Sequence, residues 1–209
     1  MGRPPTIGID MKRSRLFAAA LGAALLALVG LGPAQATGWT YYTPGPPATY
    51  SLTFSAPASI TFATNTCSGA ASSGTTVTGM PVIDLVSFNA MTFTGCVGIG
   101  GPSTITMTGA WKLHGTSAAT PAMTDNITVH VDNIVATVRH AVNPLICSYT
   151  VTGKADGTFG EVPQALALTE NGLGGDLTVS NVTGCLGQVT NGQAAPFTGT
   201  YVTSGLYFG

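Results

Sequence analysis

The sequence predicts an all-β fold, a disulfide-stapled antiparallel β-sandwich or barrel, with two related halves. Apolar residues alternate with hydroxyl residues over most of the chain after residue 48, the period-two signature of half-buried strands. Clusters of Gly, Asn, Asp and Ser interrupt those runs about every ten residues, the turn spacing of sandwiches and barrels. Four cysteines complete the pattern, falling into two parallel segments, Cys67 to Cys96 and Cys147 to Cys185.

Residues 1–36 read as a secretory signal peptide. From Met11 the chain runs MKRSRLFAAALGAALLALVGLGPAQA, with Lys12, Arg13 and Arg15, an apolar run from Leu16 to about Leu31, and the small-residue cleavage motif Ala34-Gln35-Ala36. This order of charged, apolar and small residues is that of an exported precursor, and it makes Met11 the expected start. The apolar run falls short of the roughly 20 residues a membrane anchor needs. The expected product is secreted, with no integral membrane span after cleavage.

Residues 37–49, TGWTYYTPGPPAT, form an expected extended, proline-restricted leader, and residues 50–209 a single β domain. Beyond residue 36 the basic residues are Lys112, Arg139 and Lys154, against Asp84, Asp125, Asp132, Asp156, Glu161, Glu170 and Asp176, a formal net charge of −4. Nucleic-acid and anionic-membrane binding need clustered Lys and Arg, so neither is expected. Hydroxyls supply the polar surface instead.

The strands are expected in TYSLTFSAPASITFAT, where Tyr50, Leu52, Phe54, Ile60 and Phe62 alternate with polar residues. TITMTGAWKL follows, with Ile105 and Met107, and then the β-branched run ITVHVDNIVATVRHAV. CSGAASSGT, GIGGPS, GKADGT, ENGLGGD and TNGQAAP are expected turns or loops. EVPQALALTENG, at 161–172, fits either a short helix interrupted by Pro163 or a strand.

Each cysteine segment opens with Cys-Ser, passes an expected hairpin, and closes on a strand ending in Thr-Gly-Cys: LVSFNAMTFTGC in the first, LTVSNVTGC in the second. Four cysteines permit three pairings. The parallel halves favour Cys67 with Cys96 and Cys147 with Cys185, each worth about 3–4 kcal/mol by the loop-entropy model. Gly95 and Gly184 are then expected to take positive φ just before each staple. No pair has C-x-x-C spacing, so neither a cysteine metal site nor a catalytic thiol is expected.

The sequence carries no recognisable catalytic set. His130 and Asp132 lie two apart on one strand, and a straight strand would carry their face on to His140 about 33 Å away. A His-x-Asp pair alone falls short of the three or four ligands of a zinc site, so it is expected to be a solvated polar pair, with no metal and no cofactor. No Gly-x-Ser-x-Gly elbow accompanies Asp84 and Ser87, and GIGG at 98–101 lacks the Lys-Ser/Thr of a phosphate loop. Trp111, Phe88, Phe93 and Met107 are the candidate apolar ligand site, against the plainer expectation that Trp111 is core. His114 lies beside Trp111 in WKLHG. Asn126 and Asn181 open Asn-x-Thr sequons, which matter only in a host that glycosylates them.

The order SFNAMTFTGC, AWKLHGTS, CSYTVTGKADGTF and LTVSNVTGCLGQVTNGQAAPFTGTYVTS resembles a family of small secreted actinobacterial proteins whose members lack an assigned activity. The resemblance covers most of residues 50–204. The same cysteine order, with Trp111, is similar more loosely to secreted alkane-oxidation activator proteins of proteobacteria, although Gly109-Ala110 stands where those have Leu-Pro. These resemblances imply an exported β protein working beside hydrophobic material or in an extracellular matrix. The expected function is a non-catalytic structural or cell-surface protein. Its expected contacts are with itself, through poorly charged strand edges, or with the cell envelope. The alternative is a binding module for a lipid, alkane or other apolar molecule, which would need a cavity of several hundred Å³.

Overall fold

The computed structural model describes residues 39–40, 49–77, 81–82, 84–117, 119–120, 124–174 and 176–207. The expected signal peptide lies outside the described residues, as does most of the leader. The strands are β1 Trp39–Thr40, β2 Thr49–Ala56, β3 Ile60–Phe62, β4 Asn65–Cys67, β5 Gly69–Val77, β6 Pro81–Val82, β7 Asp84–Thr94 and β8 Val97–Gly98. They continue as β9 Gly101–Met107, β10 Trp111–Gly115, β11 Asn126–His140, β12 Cys147–Gly160, β13 Ala165–Glu170, β14 Leu177–Gly184 and β15 Phe197–Val202. One short 3-10 turn, Cys185–Gly187, follows β14. The fold is all-β, and every pairing between strands is antiparallel.

Apart from the small β1–β6 pair, the strands form one sheet whose ladder returns to itself. Its circuit runs β12–β13–β15–β2–β5–β7–β10–β11 and back to β12. Alternate residues of these strands turn inward, giving a core that includes Phe54, Phe88, Trp111, Val131, Phe159, Leu168 and Tyr201. Outside the circuit, β14 adds to the first half of β12, and β9, β8, β4 and β3 continue from the second half of β11 round to β15.

β11 and β12 are long enough to serve both regions. Their register runs from Asn126↔Gly160 to Arg139↔Ser148, broken between Val131 and Ile134. Asn133 takes φ 57° there, a left-handed conformation that Asn tolerates better than most residues. The extra residue of this bulge reverses the alternation: Ile127, Val129 and Val131 are buried before it, and Ile134, Ala136, Val138 and His140 after it. The straight-strand expectation for His140 is therefore corrected. His130 and Asp132 face outward, whereas His140 points into the protein.

Two expected turns are strand. CSGAASSGT lies largely in β5 and GKADGT in β12, because their small residues meet close backbone or side-chain approaches. A Cβ at Gly157 would sit 2.4 Å from the Ala167 carbonyl oxygen, and one at Gly74 2.6 Å from a Val86 methyl. The 161–172 segment turns at a cis Val162–Pro163 bond and then forms strand β13.

The disulfides are Cys67–Cys96 and Cys147–Cys185. Each staples the end of one antiparallel pair, with register Gly69↔Thr94 in β5–β7 and Ser148↔Thr183 in β12–β14. Here lies the reason for the repeated Thr-Gly-Cys. The strand ends at Thr94 in the first half and at Gly184 in the second, and Gly turns the chain back across the pair, with φ 57° at Gly95 and 70° at Gly184. A Cβ at Gly184 would meet the Leu145 and Ile146 carbonyl oxygens at 2.4 and 2.5 Å. Replacing Gly184 with Ala should lower the unfolding free energy by about 2 kcal/mol or more, since positive φ and a backbone clash act together. Removing Cys147 and Cys185 together should cost about 3–4 kcal/mol. Denaturant titration of the oxidised proteins measures both.

Candidate functional site

Among the four residues expected to hold an apolar ligand, the structure separates two from two. Trp111 and Phe88 are fully buried core residues. Trp111 stacks on Phe62 at 6.4 Å between ring centres and meets Phe197 edge-on at 6.1 Å, while its indole N–H donates to the Val135 carbonyl at 3.4 Å. Phe93 and Met107 are half-buried and line an open groove of about 550 Å³ between Asn89–Phe93 and Ser103–Gly109. Met91 and Ile105 add apolar surface to it, and Thr92, Thr104 and Thr106 add hydroxyls.

The space beside Trp111 inside the circuit is small. Side chains from β2, β5, β7, β10, β11, β13 and β15 leave a void of only about 10 Å³, bounded by Phe54, Phe88, Trp111, Leu166, Phe197 and Tyr201 among others. That is roughly one water-sized space, far below the several hundred Å³ of a ligand cavity. Ser72 and Tyr201 also border this void, and their Oγ and Oη atoms are buried without a hydrogen-bond partner among the described residues. Burial holds the Tyr201 phenol well above its ordinary value of 10. Tyr149 is raised in the same direction by burial, partly offset by its hydrogen bonds with Thr64 and Asn65.

Two surface features stand out against this packed interior. The first is a gathering of charge in a protein with little of it. β7, β10, β11 and β12 align Asp84, His114, His130 and Asp156 as successive cross-strand partners. Lys112, one alternation away on β10, pairs in register with Ser87 on one side and Asp132 on the other. The imidazoles of His114 and His130 stack with ring centres 4.9 Å apart and planes within 4°. His130 Nε2 lies 3.0 Å from Asp132 Oδ2, and His114 Nδ1 lies 3.9 Å from the same oxygen and 3.8 Å from Asp84 Oδ1. Lys112 Nζ is 3.5 Å from Asp84 Oδ2 and donates to Ser87 Oγ. Beyond β11 the belt continues with Lys154, 3.5 Å from Asp176 and 3.9 Å from Asp156.

The second feature is an apolar end whose loops carry no charged residue, with exposed Arg139 beside them at the end of β11. Three loops meet there: the β8–β9 turn, residues 141–146 between β11 and β12, and the 3-10 turn after β14. Cys185 N–H donates to the Ile146 carbonyl at 2.7 Å, and Ala141 N–H to the Pro102 carbonyl at 2.8 Å. Buried His140 ties the loops from beneath. Its Nδ1 accepts from the Val142 and Asn143 N–H groups at 3.3 and 3.2 Å, which leaves the ring proton on Nε2 to donate to the Gly100 carbonyl at 3.2 Å. Val142, Leu145 and Leu186 project from these loops, and Val97 from β8 beside its turn, with 83, 74, 72 and 57% of their surface exposed.

Comparison of the chain with protein-family models, curated proteins and solved structures gives no match.

The strand edges differ in how far they are covered. The circuit closes, and the outer edge of β14 is covered by residues 191–195. Val179 N–H donates to the Gln193 carbonyl at 2.9 Å, Ala195 N–H to the Leu177 carbonyl at 2.9 Å, and Val182 N–H to Asn191 Oδ1 at 3.1 Å. Other edges are joined more sparsely: β2 meets β15 only at Ser55↔Val202, and the second half of β7 meets β9 only at Thr92↔Thr106.

The buried phenols give a test of the packing. A folded state that keeps them neutral binds protons which the unfolded chain releases above pH 10, so their contribution is complete below that pH and is lost as pH rises beyond it. Unfolding free energy, measured by urea titration from pH 8 to 11, should fall above about pH 10 by up to about 1.4 kcal/mol per pH unit for each buried phenol. Tyr201→Phe should make the decline shallower, and an unchanged slope would place Tyr201 in contact with solvent.

Proposed function

We propose that the mature protein is a secreted, non-catalytic cell-surface protein that attaches to apolar material of the envelope through its looped end. The observation that carries this reading is the placement of Val142, Leu145 and Leu186 on loops joined to one another and held by the Cys147–Cys185 staple, with Val97 beside them on β8. Large side chains this exposed gain most when a surface covers them, by about 2 kcal/mol for a fully buried Leu. Loops pinned by a disulfide and by His140 lose little conformational freedom in that step. The small space inside the circuit supports attachment over transport of an enclosed molecule. The family resemblance, an exported β protein beside hydrophobic material, points the same way.

A second reading rests on the groove of Phe93 and Met107, whose mixed apolar and hydroxyl lining suits one alkyl chain lying along the surface. Flotation with neutral phosphatidylcholine vesicles separates the two. The looped end should carry the oxidised protein to the vesicle fraction with little dependence on salt, since no charge drives the contact. Leu145→Asp with Leu186→Asp should abolish flotation, and Phe93→Ser with Met107→Ser should leave it intact. The reverse pattern supports the groove. Failure of the wild-type protein to float overturns envelope attachment by this end.

A further inference from the structure

We propose that His114, His130 and Asp132 form a binding site for a divalent transition-metal ion of the zinc class. This inference is independent of the surface-attachment reading. Its basis is convergence: the nearest donor atoms of the three side chains, one from each, lie within 4.8 Å of one another on adjacent strands β10 and β11. Two imidazoles and a carboxylate form a donor set matched to zinc and its neighbours, and three protein ligands leave a coordination position open.

The geometry is close to what an ion requires. Donors at about 2.0–2.1 Å from a tetrahedral ion stand roughly 3.3 Å apart. His130 Nε2 and Asp132 Oδ2 are already at 3.0 Å, and His114 Nδ1 is 3.9 Å from that oxygen. The His114 and His130 donors lie within 4.8 Å of each other, so closing the remainder takes side-chain movements of about 1.5 Å and a turn of the stacked rings that brings both nitrogen lone pairs onto the ion. The groups are free to make them, with side-chain exposures of 28% for His114, 20% for His130 and 31% for Asp132. The backbone beneath is fixed by the His114↔His130 register. Strand pairing therefore supplies much of the preorganisation.

The surrounding charges set the balance. Lys112 is the cation facing this cluster, but its ammonium is turned to Asp84 and Ser87. Asp84 in turn approaches His114 Nδ1 at 3.8 Å, so it offsets Lys112 at the border of the cluster. Asp156, the cross-strand partner of His130, adds negative charge from β12.

The test uses oxidised mature protein stripped with EDTA and titrated with Zn²⁺. Calorimetry should show one saturable equivalent, and thermal unfolding should shift upward with Zn²⁺ concentration, since the unfolded chain lacks the paired strands. His114→Ala and His130→Ala should each weaken binding at least tenfold, and Asp132→Asn by about tenfold, with midpoints in EDTA near that of wild type. Asp176→Asn should bind as wild type does. A readout on the intact chain guards against variants that fail to fold: nitrogen NMR should show Zn²⁺ shifting the imidazole resonances of His114 and His130 while those of His140 stay in place. Absence of a saturable equivalent, a shift at His140 in place of the pair, or full affinity in a His114→Ala, His130→Ala double variant overturns the proposal.

Discussion

The β11–β12 ladder is the constraint on which the rest of the structure depends. It is the longest pairing in the protein, reaching from Asn126↔Gly160 to Arg139↔Ser148, and each strand has different neighbours along its two halves. The first half of β11 lies between β10 and β12, and the second half between β9 and β12. β12 carries β14 on its first half and β13 on its second. A strand that changes neighbours must also change direction, and the Asp132–Asn133 bulge supplies the bend. Without the extra residue, side chains buried on one side of the break would face outward on the other.

From this one irregularity follow the two ends of the molecule. Before the bulge, His130 and Asp132 face outward beside His114; after it, His140 faces inward and fastens the loops. Charge is concentrated beside the bulge, and uncharged apolar loops gather beyond the far end of the strand. The staples stand at the ends of matching strand pairs, so each fixes a register that the hydroxyl-rich, low-charge strands specify only through their alternation. Thr, Ser and Asn supply the rest of the polar surface, in keeping with a protein whose stability rests on packing and crosslinks more than on ion pairs.

The fold class was legible because its signals are local. Alternation at Leu52, Phe54, Ile60 and Phe62 needs a window of a few residues, as does Thr-Gly-Cys at 94–96 and 183–185. The halves reveal the staples because both use the same local geometry, a strand end and a glycine turn. Glycine-rich strands were illegible: at Gly74 and Gly157 the absent side chain marks a close neighbour, and only the neighbour distinguishes that use from a turn. The bulge left a faint trace in Asp132-Asn133, two residues that favour turns within a β-branched run. The His114–His130 pair left none. Lys112-x-His114 and His130-x-Asp132 can each be read as one face of a strand, but their meeting depends on a register between segments separated by a loop. The ligand residues divided for a related reason. Alternation indicates that Trp111 and Phe88 have a buried face, and only the closed circuit makes that face an interior one.

Residue-resolved native-state hydrogen exchange tests most directly whether the bulged ladder joins both regions into one cooperative unit. The expected result is that hydrogen-bonded amides on both sides of the bulge, within 127–131 and 134–138 of β11 and along their β12 partners, exchange only through global unfolding, with one common free energy and one denaturant dependence. Two distinct free energies, with one side of the bulge opening while the other stays protected, would contradict a single unit organised by this ladder.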